Sequence, residues 1–216
     1  MKKQLALALL LATASSAAAA ADGLSHNYVE VGFVRHQKET PVVFTQPGFS
    51  VNDLKADGGY IAGSFEFMSN VYLFGGYHKG NDDVAVNFNG VKTPFEIDTD
   101  LQQGHIGLGY HHTLSDRVEW TGEISYINTR ADLKFDGLKD RLEADDYRGS
   151  LGLRGDLAAN FEGWVKVNYT DGDAYDGEVS GTLGALIKFN ETWGIVGEAE
   201  VGSDDKQYRV GVRASF

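Results

Sequence analysis

The chain of 216 residues contains no cysteine, only 3 prolines and only 2 methionines. Without cysteine there are no disulfides, zinc ribbons, iron–sulfur clusters or thiol nucleophiles. Basic residues are also scarce, 19 against 31 acidic ones. The resulting net charge of −12 argues against a nucleic-acid partner, which requires a basic face. No segment past the N-terminus reaches the roughly 18 successive apolar residues that a membrane-crossing helix needs. What the sequence has in excess is glycine, 27 residues, and aromatics, with 3 Trp, 10 Tyr and 12 Phe. That combination disfavours a helical bundle and a disordered chain and suits one large β-barrel or sandwich.

Residues 1–21 differ in kind from the remainder. Lys2 and Lys3 form a basic start, Leu5 to Ala12 an apolar run, and Thr13 to Ala21 a small-residue stretch ending in Ala-x-Ala. This order is that of a secretory signal peptide, with cleavage expected after Ala20 or Ala21. The apolar run is too short for a membrane anchor, and no cysteine is present to carry a lipid. The domain expected after cleavage is 22–216.

From Asn27 onward apolar residues alternate with polar ones, in segments of about ten residues. Val118, Trp120, Gly122, Ile124 and Tyr126 fall on one face; Glu119, Thr121, Glu123 and Ser125 fall on the other. Tyr147, Gly149, Leu151, Leu153 and Gly155 oppose Arg148, Ser150, Gly152 and Arg154 in the same way. Strands are expected at 26–36, 57–68, 71–79, 99–112, 117–129, 145–157, 161–170, 177–189, 193–202 and 206–216. Short turns at Ser69-Asn70, Thr113–Asp116, Ala158–Asn160 and Asn190–Thr192 alternate with longer polar connections at 37–56, 80–98, 130–144 and 171–176. A tight connection at Ser203–Asp205 completes the second set. Short turns on one side and longer loops on the other mark an outer-membrane barrel. The expected fold is thus all-β: a transmembrane, antiparallel, up-and-down β-barrel of about 10 strands. Eight is the alternative count, because 57–68 and 71–79 are the least regular segments.

A lipocalin-like barrel alternates as well, but with its apolar face inside. The placement of aromatics argues for the opposite sense. Tyr110, Trp120 and Trp193, with Phe67, Phe161, Phe189 and Phe216, sit at the turn ends of the apolar faces. Tyr77, Tyr126, Tyr147, Tyr169 and Tyr208 sit at the loop ends. Two aromatic rings bracketing Val, Leu, Ile, Ala and Gly match the girdles at the two faces of a bilayer. The polar face carries Glu30, Glu66, Glu119, Glu123, Glu162, Glu198 and Glu200 against Arg148, Arg154, Lys166, Lys188, Arg209 and Arg213. Inside a narrow barrel these charges would have to be paired across neighbouring strands. The expected pairings are Glu119 and Glu123 with Arg148 and Arg154, and Glu198 and Glu200 with Arg209 and Arg213. An interior so filled is not that of a wide porin.

Several stretches resemble a known family: Asp22-Gly23-Leu24-Ser25 leading into Asn27-Tyr28-Val29-Glu30, Leu73-Phe74-Gly75-Gly76-Tyr77, Asn160-Phe161-Glu162-Gly163 and Lys188-Phe189-Asn190-Glu191-Thr192-Trp193-Gly194. They are similar to the Ax outer-membrane proteins (activator of XA-mediated immunity), within the broader outer-membrane β-barrel group. The resemblance spans the mature chain and departs from the family at 37–56 and 80–98, which are longer here. It implies a surface protein linked to biofilm, motility and virulence, with no established catalytic site. The terminal alternation of Tyr208, Val210, Val212, Ala214 and Phe216 also resembles the signal read by the barrel-assembly machinery. The partners expected on this basis are outer-membrane lipid, lipopolysaccharide and that machinery.

Some barrels of this kind are enzymes, so catalytic groupings were sought. Asp82-Asp83, Asp145-Asp146 and Asp204-Asp205 read as solvated loop acids. His111 and His112, followed by Ser115 and Asp116, read as a polar turn, because triad members converge from separate elements. The acidic loops could hold divalent cations against lipopolysaccharide phosphates, but none has the spaced Asp pattern of a calcium loop. No catalytic residue, cofactor or dedicated metal site is assigned. The reading is a non-enzymatic surface barrel; the alternative is a narrow channel or a lipid-acting barrel enzyme.

Overall fold

Period-two alternation folds as antiparallel strands because it gives each strand one face for the interior and one for the outside. A computed structural model describes residues 24–39, 48–89, 91–135 and 138–216. The expected signal segment, 1–21, lies outside the described residues, as do positions 40–47 of the loop expected at 37–56. The described strands are β1 (Tyr28–Lys38), β2 (Phe49–Val51), β3 (Leu54–Met68), β4 (Val71–Phe88), β5 (Val91–Ser115), β6 (Val118–Phe135), β7 (Leu138–Ala158), β8 (Phe161–Gly172), β9 (Glu178–Lys188), β10 (Trp193–Val201) and β11 (Asp205–Ser215). All except β2 close into a ten-stranded antiparallel barrel. The seam joins β1 to β11 from Tyr28 opposite Ser215 to Lys38 opposite Asp205. Strand β2 only extends the rim, pairing Phe49–Val51 with the end of β4.

The barrel has ten strands, and each coincides with an expected segment, but four of them run well past it. Positions 80–98 and 130–144, expected as loops, are mostly ladder: β4 pairs with β5 out to Phe88 opposite Val91, and β6 with β7 out to Phe135 opposite Leu138. In the β6–β7 hairpin, over 130–144, no described residue is buried and alternation fails, with cross-strand ion pairs taking its place, whereas Val84 and Ala85 on β4 are buried. Arg130 meets Glu143 at 2.8 Å and Arg141 meets Asp132 at 2.5 Å, each pair directly opposite in register. The hydrogen bond from Arg141 holds the Asp132 carboxyl below the usual range. Exposed pairs of this kind contribute little stability, but they favour one register.

The turn end is built more tightly. Asn70 adopts a φ of 71° between β3 and β4, a left-handed conformation that Asn tolerates. Asn190 Oδ1 accepts hydrogen bonds from the amides of Thr192 at 2.9 Å and Trp193 at 2.8 Å, closing the β9–β10 turn.

Outside, a belt of Val31, Phe33, Leu73, Ile106, Leu108, Ile124, Leu151, Val165, Val167, Leu183, Ile195 and Val210 is exposed. A soluble protein does not expose an apolar surface of this extent. At the loop-side edge the outward residue two steps beyond each aromatic turns polar: Lys79 after Tyr77, Asn128 after Tyr126, Asp145 before Tyr147 and Asp171 after Tyr169. Tyr126 and Tyr147 lie side by side with ring centroids 5.7 Å apart, and the Tyr126 hydroxyl donates to Asp145 at 2.5 Å. At the turn-side edge Trp120 lies 5.6 Å from Tyr110, and Phe189 in the β9–β10 turn and Trp193 at the start of β10 are exposed. Ala214 shares this outward face but is buried.

Depth in the belt has a direct consequence. Arg placed at Ile124, Leu151 or Val210, near mid-height, is expected to cost about 2–4 kcal/mol, against about 0–1 kcal/mol at Tyr147 on the rim. Unfolding titrations in lipid vesicles measure both; equal penalties would show that lipid does not contact the belt.

Candidate functional site

The inner face is polar, so the interior of this barrel is not a hydrophobic core. Its buried apolar cluster is confined to Trp164, Leu186 and Val196 among the described residues. Trp164 fits because Gly184 stands beside it on β9, where a Cβ would collide with the indole. Tyr72 lies over Gly109 in the same manner. These large rings project into the bore, each set over a glycine on the next strand.

Ion pairs occupy what remains. At the turn end Arg213 meets Glu30 at 2.8 Å, directly across the β1–β11 seam. Arg154 meets Glu162 at 2.6 Å and Glu119 at 3.7 Å, and Lys188 meets Glu162 at 2.5 Å and Asp156 at 3.7 Å. At mid-height Lys166 meets Glu123 at 2.7 Å, and the Tyr72 hydroxyl donates to the same carboxylate at 2.7 Å. Arg209 pairs with Glu198, directly opposite on β10, while the Trp164 Nε1–H donates to Glu198 at 2.8 Å. Towards the loops Arg148 meets Glu200 at 3.1 Å and donates to the Thr170 hydroxyl at 2.9 Å. Every basic residue assigned to the inner face has a carboxylate partner. Glu66 has none of these cations; it accepts from the Asn70 amide at 2.9 Å and lies 3.5 Å from His111.

Three expected pairings need correction. Arg148 reaches Glu200 on β10 rather than Glu119 or Glu123 on β6. Glu123 pairs with Lys166 on β8. Arg213 pairs with Glu30 rather than Glu198 or Glu200. The expectation considered only neighbouring strands within the sheet order inferred from sequence. In the closed barrel long side chains pass over a strand wherever its inner residue is small. Lys166 crosses β7 at Gly152, where a Cβ would meet the Lys166 stem at 2.8 Å. Between Arg148 and Glu200 stand Thr170 and Ser180, and the Ser180 hydroxyl donates to Glu200 at 2.7 Å.

The inner face also holds residues that the sequence reading did not assign to it. The 173–177 connection turns inward, and Tyr175 caps the loop-side mouth, hydrogen-bonded to Asp205, with the Lys38 ammonium 4.2 Å from its ring. His36 contacts Asp205 at 2.8 Å and His78 at 3.4 Å. At the opposite mouth His26 Nε2 lies 2.7 Å from Glu119, and the His26 ring stacks on His111 at 4.2 Å. Parity alone could have placed Tyr72, His78, His105 and His111 inside, since each is in step with inward Glu or Gly residues of its strand. His111 thus faces the lumen and is no part of a polar turn. The space left in the lumen is a polar cavity of ≈160 Å³ lined by Tyr60, His105, Lys166 and Arg209, among others. Small-molecule sites are commonly about 300–1,000 Å³.

No family model and no curated protein matches the chain. Solved structures do match in fold. The outer-membrane protein OprG of Pseudomonas aeruginosa is 13% identical, with 90% of this chain and 98% of that one covered and a TM-score of 0.51. The translocator domain of the autotransporter NalP from Neisseria meningitidis is 11% identical, covers 99% of this chain and 96% of that one, and also has a TM-score of 0.51. Ail, the attachment invasion locus protein of Yersinia pestis, is 13% identical over 89% of this chain and 100% of that one, with a TM-score of 0.44. At these identities the likeness is one of fold, the closed transmembrane barrel.

The corrected pairing can be measured. Removing Arg148 leaves Glu200 partly buried without its cation and is expected to destabilise the barrel by about 3 kcal/mol, the low end for a broken buried pair. A double-mutant cycle between Arg148→Ala and Glu200→Ala should show coupling of about 0.5–3 kcal/mol. Cycles of Arg148→Ala with Glu119→Ala or Glu123→Ala should show none; the reverse result would restore the neighbour-strand pairing.

Proposed function

We propose that this chain is a bacterial outer-membrane barrel with no enzymatic activity, acting as a surface protein through its loop-side hairpins. The observation that carries this reading is the filling of the lumen. Paired charges at three heights, the Trp164 and Tyr72 rings and the Tyr175 cap leave a polar cavity of ≈160 Å³, below the usual size of a small-molecule site. What the molecule offers to its surroundings is then the loop-side rim, where the β4–β5 and β6–β7 ladders rise well past the girdle. The β4–β5 hairpin carries Asp82, Asp83, Glu96 and Asp98 against Lys92, so its chemistry is acidic and suited to divalent cations shared with lipopolysaccharide phosphates, whereas Asp132 and Glu143 on β6–β7 are already paired with Arg141 and Arg130. With an even strand number and short turns opposite the hairpins, the start of β1 and the end of β11 both lie on the periplasmic side. The Ax resemblance supports the same role and links it to biofilm, motility and virulence.

Purified protein in planar bilayers should give no stepwise conductance. Regular conductance steps from the wild-type barrel would overturn the closed-lumen reading and favour the narrow channel.

Assembly is the second element of the proposal, with Tyr208, Val210, Val212, Ala214 and Phe216 as the segment read by the barrel-assembly machinery. The Phe216 amide donates to the Asn27 carbonyl at 3.0 Å, and its own carbonyl accepts from the Ser25 hydroxyl at 3.1 Å. Deleting Phe216 removes only these terminal bonds, worth about 0.5–1.5 kcal/mol each. The deletion should therefore leave folding in detergent intact while outer-membrane insertion in cells collapses. Normal membrane levels of the truncated protein would reduce Phe216 to a packing role.

A further inference from the structure

The turn-side mouth of the lumen holds a group of side chains that the surface role does not use. His26 comes from the segment before β1, His111 from β5, Glu119 from β6 and Glu66 from β3. One ligand atom from each of His26, His111 and Glu119 lies within 4.8 Å of the others. His26 Nε2 stands 2.7 Å from one Glu119 oxygen, and His111 Nδ1 stands 3.2 Å from the other. His111 Nε2 is 3.5 Å from Glu66.

Two independent features mark this group as incomplete. Both ring nitrogens of His111 are shut off from solvent, yet neither makes a hydrogen bond: the carboxylates are near enough for ion pairing but out of line. A buried polar atom without a partner is costly, and an imidazole lone pair is well satisfied by a metal ion. Charge supplies the second feature. Among the described residues, the Lys and Arg side chains ion-paired with Glu66, Glu119, Glu162 and Asp156 are Arg154 and Lys188, while Arg213 is taken up by Glu30. Two negative charges are left over, the complement of a dication. The histidines at the opposite mouth differ: His36 is already bonded on both nitrogens, to His78 and Asp205.

We propose that His26, His111 and Glu119, with Glu66 beside them, bind one first-row transition-metal dication of the zinc type. Two imidazoles with carboxylate oxygens suit Zn(II) or its congeners, whereas Ca(II) and Mg(II) take oxygen ligands throughout. The ion reaches the site from the turn-side mouth, where Glu66 is partly exposed. It ties the segment before β1 to β5 and β6, which otherwise meet only through side chains across the bore. The consequence is a staple that holds the start of the chain inside the barrel, close to the seam.

The test uses tag-free, refolded protein in detergent micelles, stripped with EDTA and titrated with ZnCl2 by calorimetry and with CoCl2 by visible absorption. One saturable site is expected, with the intense visible bands of low-coordinate cobalt. His111→Asn and Glu119→Gln should each weaken binding beyond the about 10–100-fold that loss of an outer-shell partner costs. His112→Asn, on the outer face next in sequence, should bind as wild type does. Where a variant fails to fold, ring-nitrogen NMR of the wild type decides: zinc should shift His26 and His111 and leave His112 unmoved. Non-saturable binding, equal affinity in the variants, or unshifted His26 and His111 would each overturn the site.

Discussion

Every strand in the lipid-facing band must satisfy its backbone within the sheet, and closure between β1 and β11 is what makes this possible. A bilayer supplies no hydrogen-bond partners, so an open edge would strand a row of amides and carbonyls at considerable cost. The seam pairs each residue from Tyr28 to Lys38 with one from Ser215 to Asp205, so each of the ten barrel strands has a neighbour on both sides. Everything else depends on that closure. It sets a single inside and a single outside, and so turns a period-two pattern into an apolar belt and a polar bore.

Closure also creates the electrostatic problem that the bore then resolves. Charges facing a narrow lumen lose most of their water, and each must be matched or it costs several kcal/mol. The barrel matches them with pairs of two kinds. Glu30 with Arg213 and Glu198 with Arg209 stand directly opposite on bonded strands. Lys166 with Glu123 and Arg148 with Glu200 bridge across strands, through openings left by Gly152, Thr170 and Ser180. The second kind binds the wall across its curvature as well as along its ladders. A lumen secured in this way keeps a polar cavity of ≈160 Å³ between its paired charges.

The hairpins obey a different constraint. Above the girdle, the β6–β7 hairpin has no buried residue among those described over 130–144, and its faces do not need apolar residues. Strand length there is maintained by the ladder and by opposite charges in register, such as Arg35 with Asp57 at 2.6 Å and Arg130 with Glu143 at 2.8 Å. These charges carry no period-two signal, so β4 to β7 look like loops in the sequence precisely where they rise highest above the belt.

The amino-acid sequence alone placed the strand segments within the belt and the sense of the faces, because lipid imposes alternation residue by residue; it favoured ten strands but left eight open, and closure decided the count. Glu198 with Arg209, directly opposite in register, was legible for the same reason, whereas Glu30 with Arg213 is equally opposite but needed the closing seam to be seen. Tertiary structure decided what depends on curvature and distance across the bore: the partner of Arg148, the inward turn of Tyr175, the hairpin height and the meeting of His26 with His111 and Glu119. Those residues lie up to 93 positions apart in the chain, and only a closed wall brings them face to face. Local pattern records which side of the sheet a residue takes; the side chains it meets across the lumen are set by the closure itself.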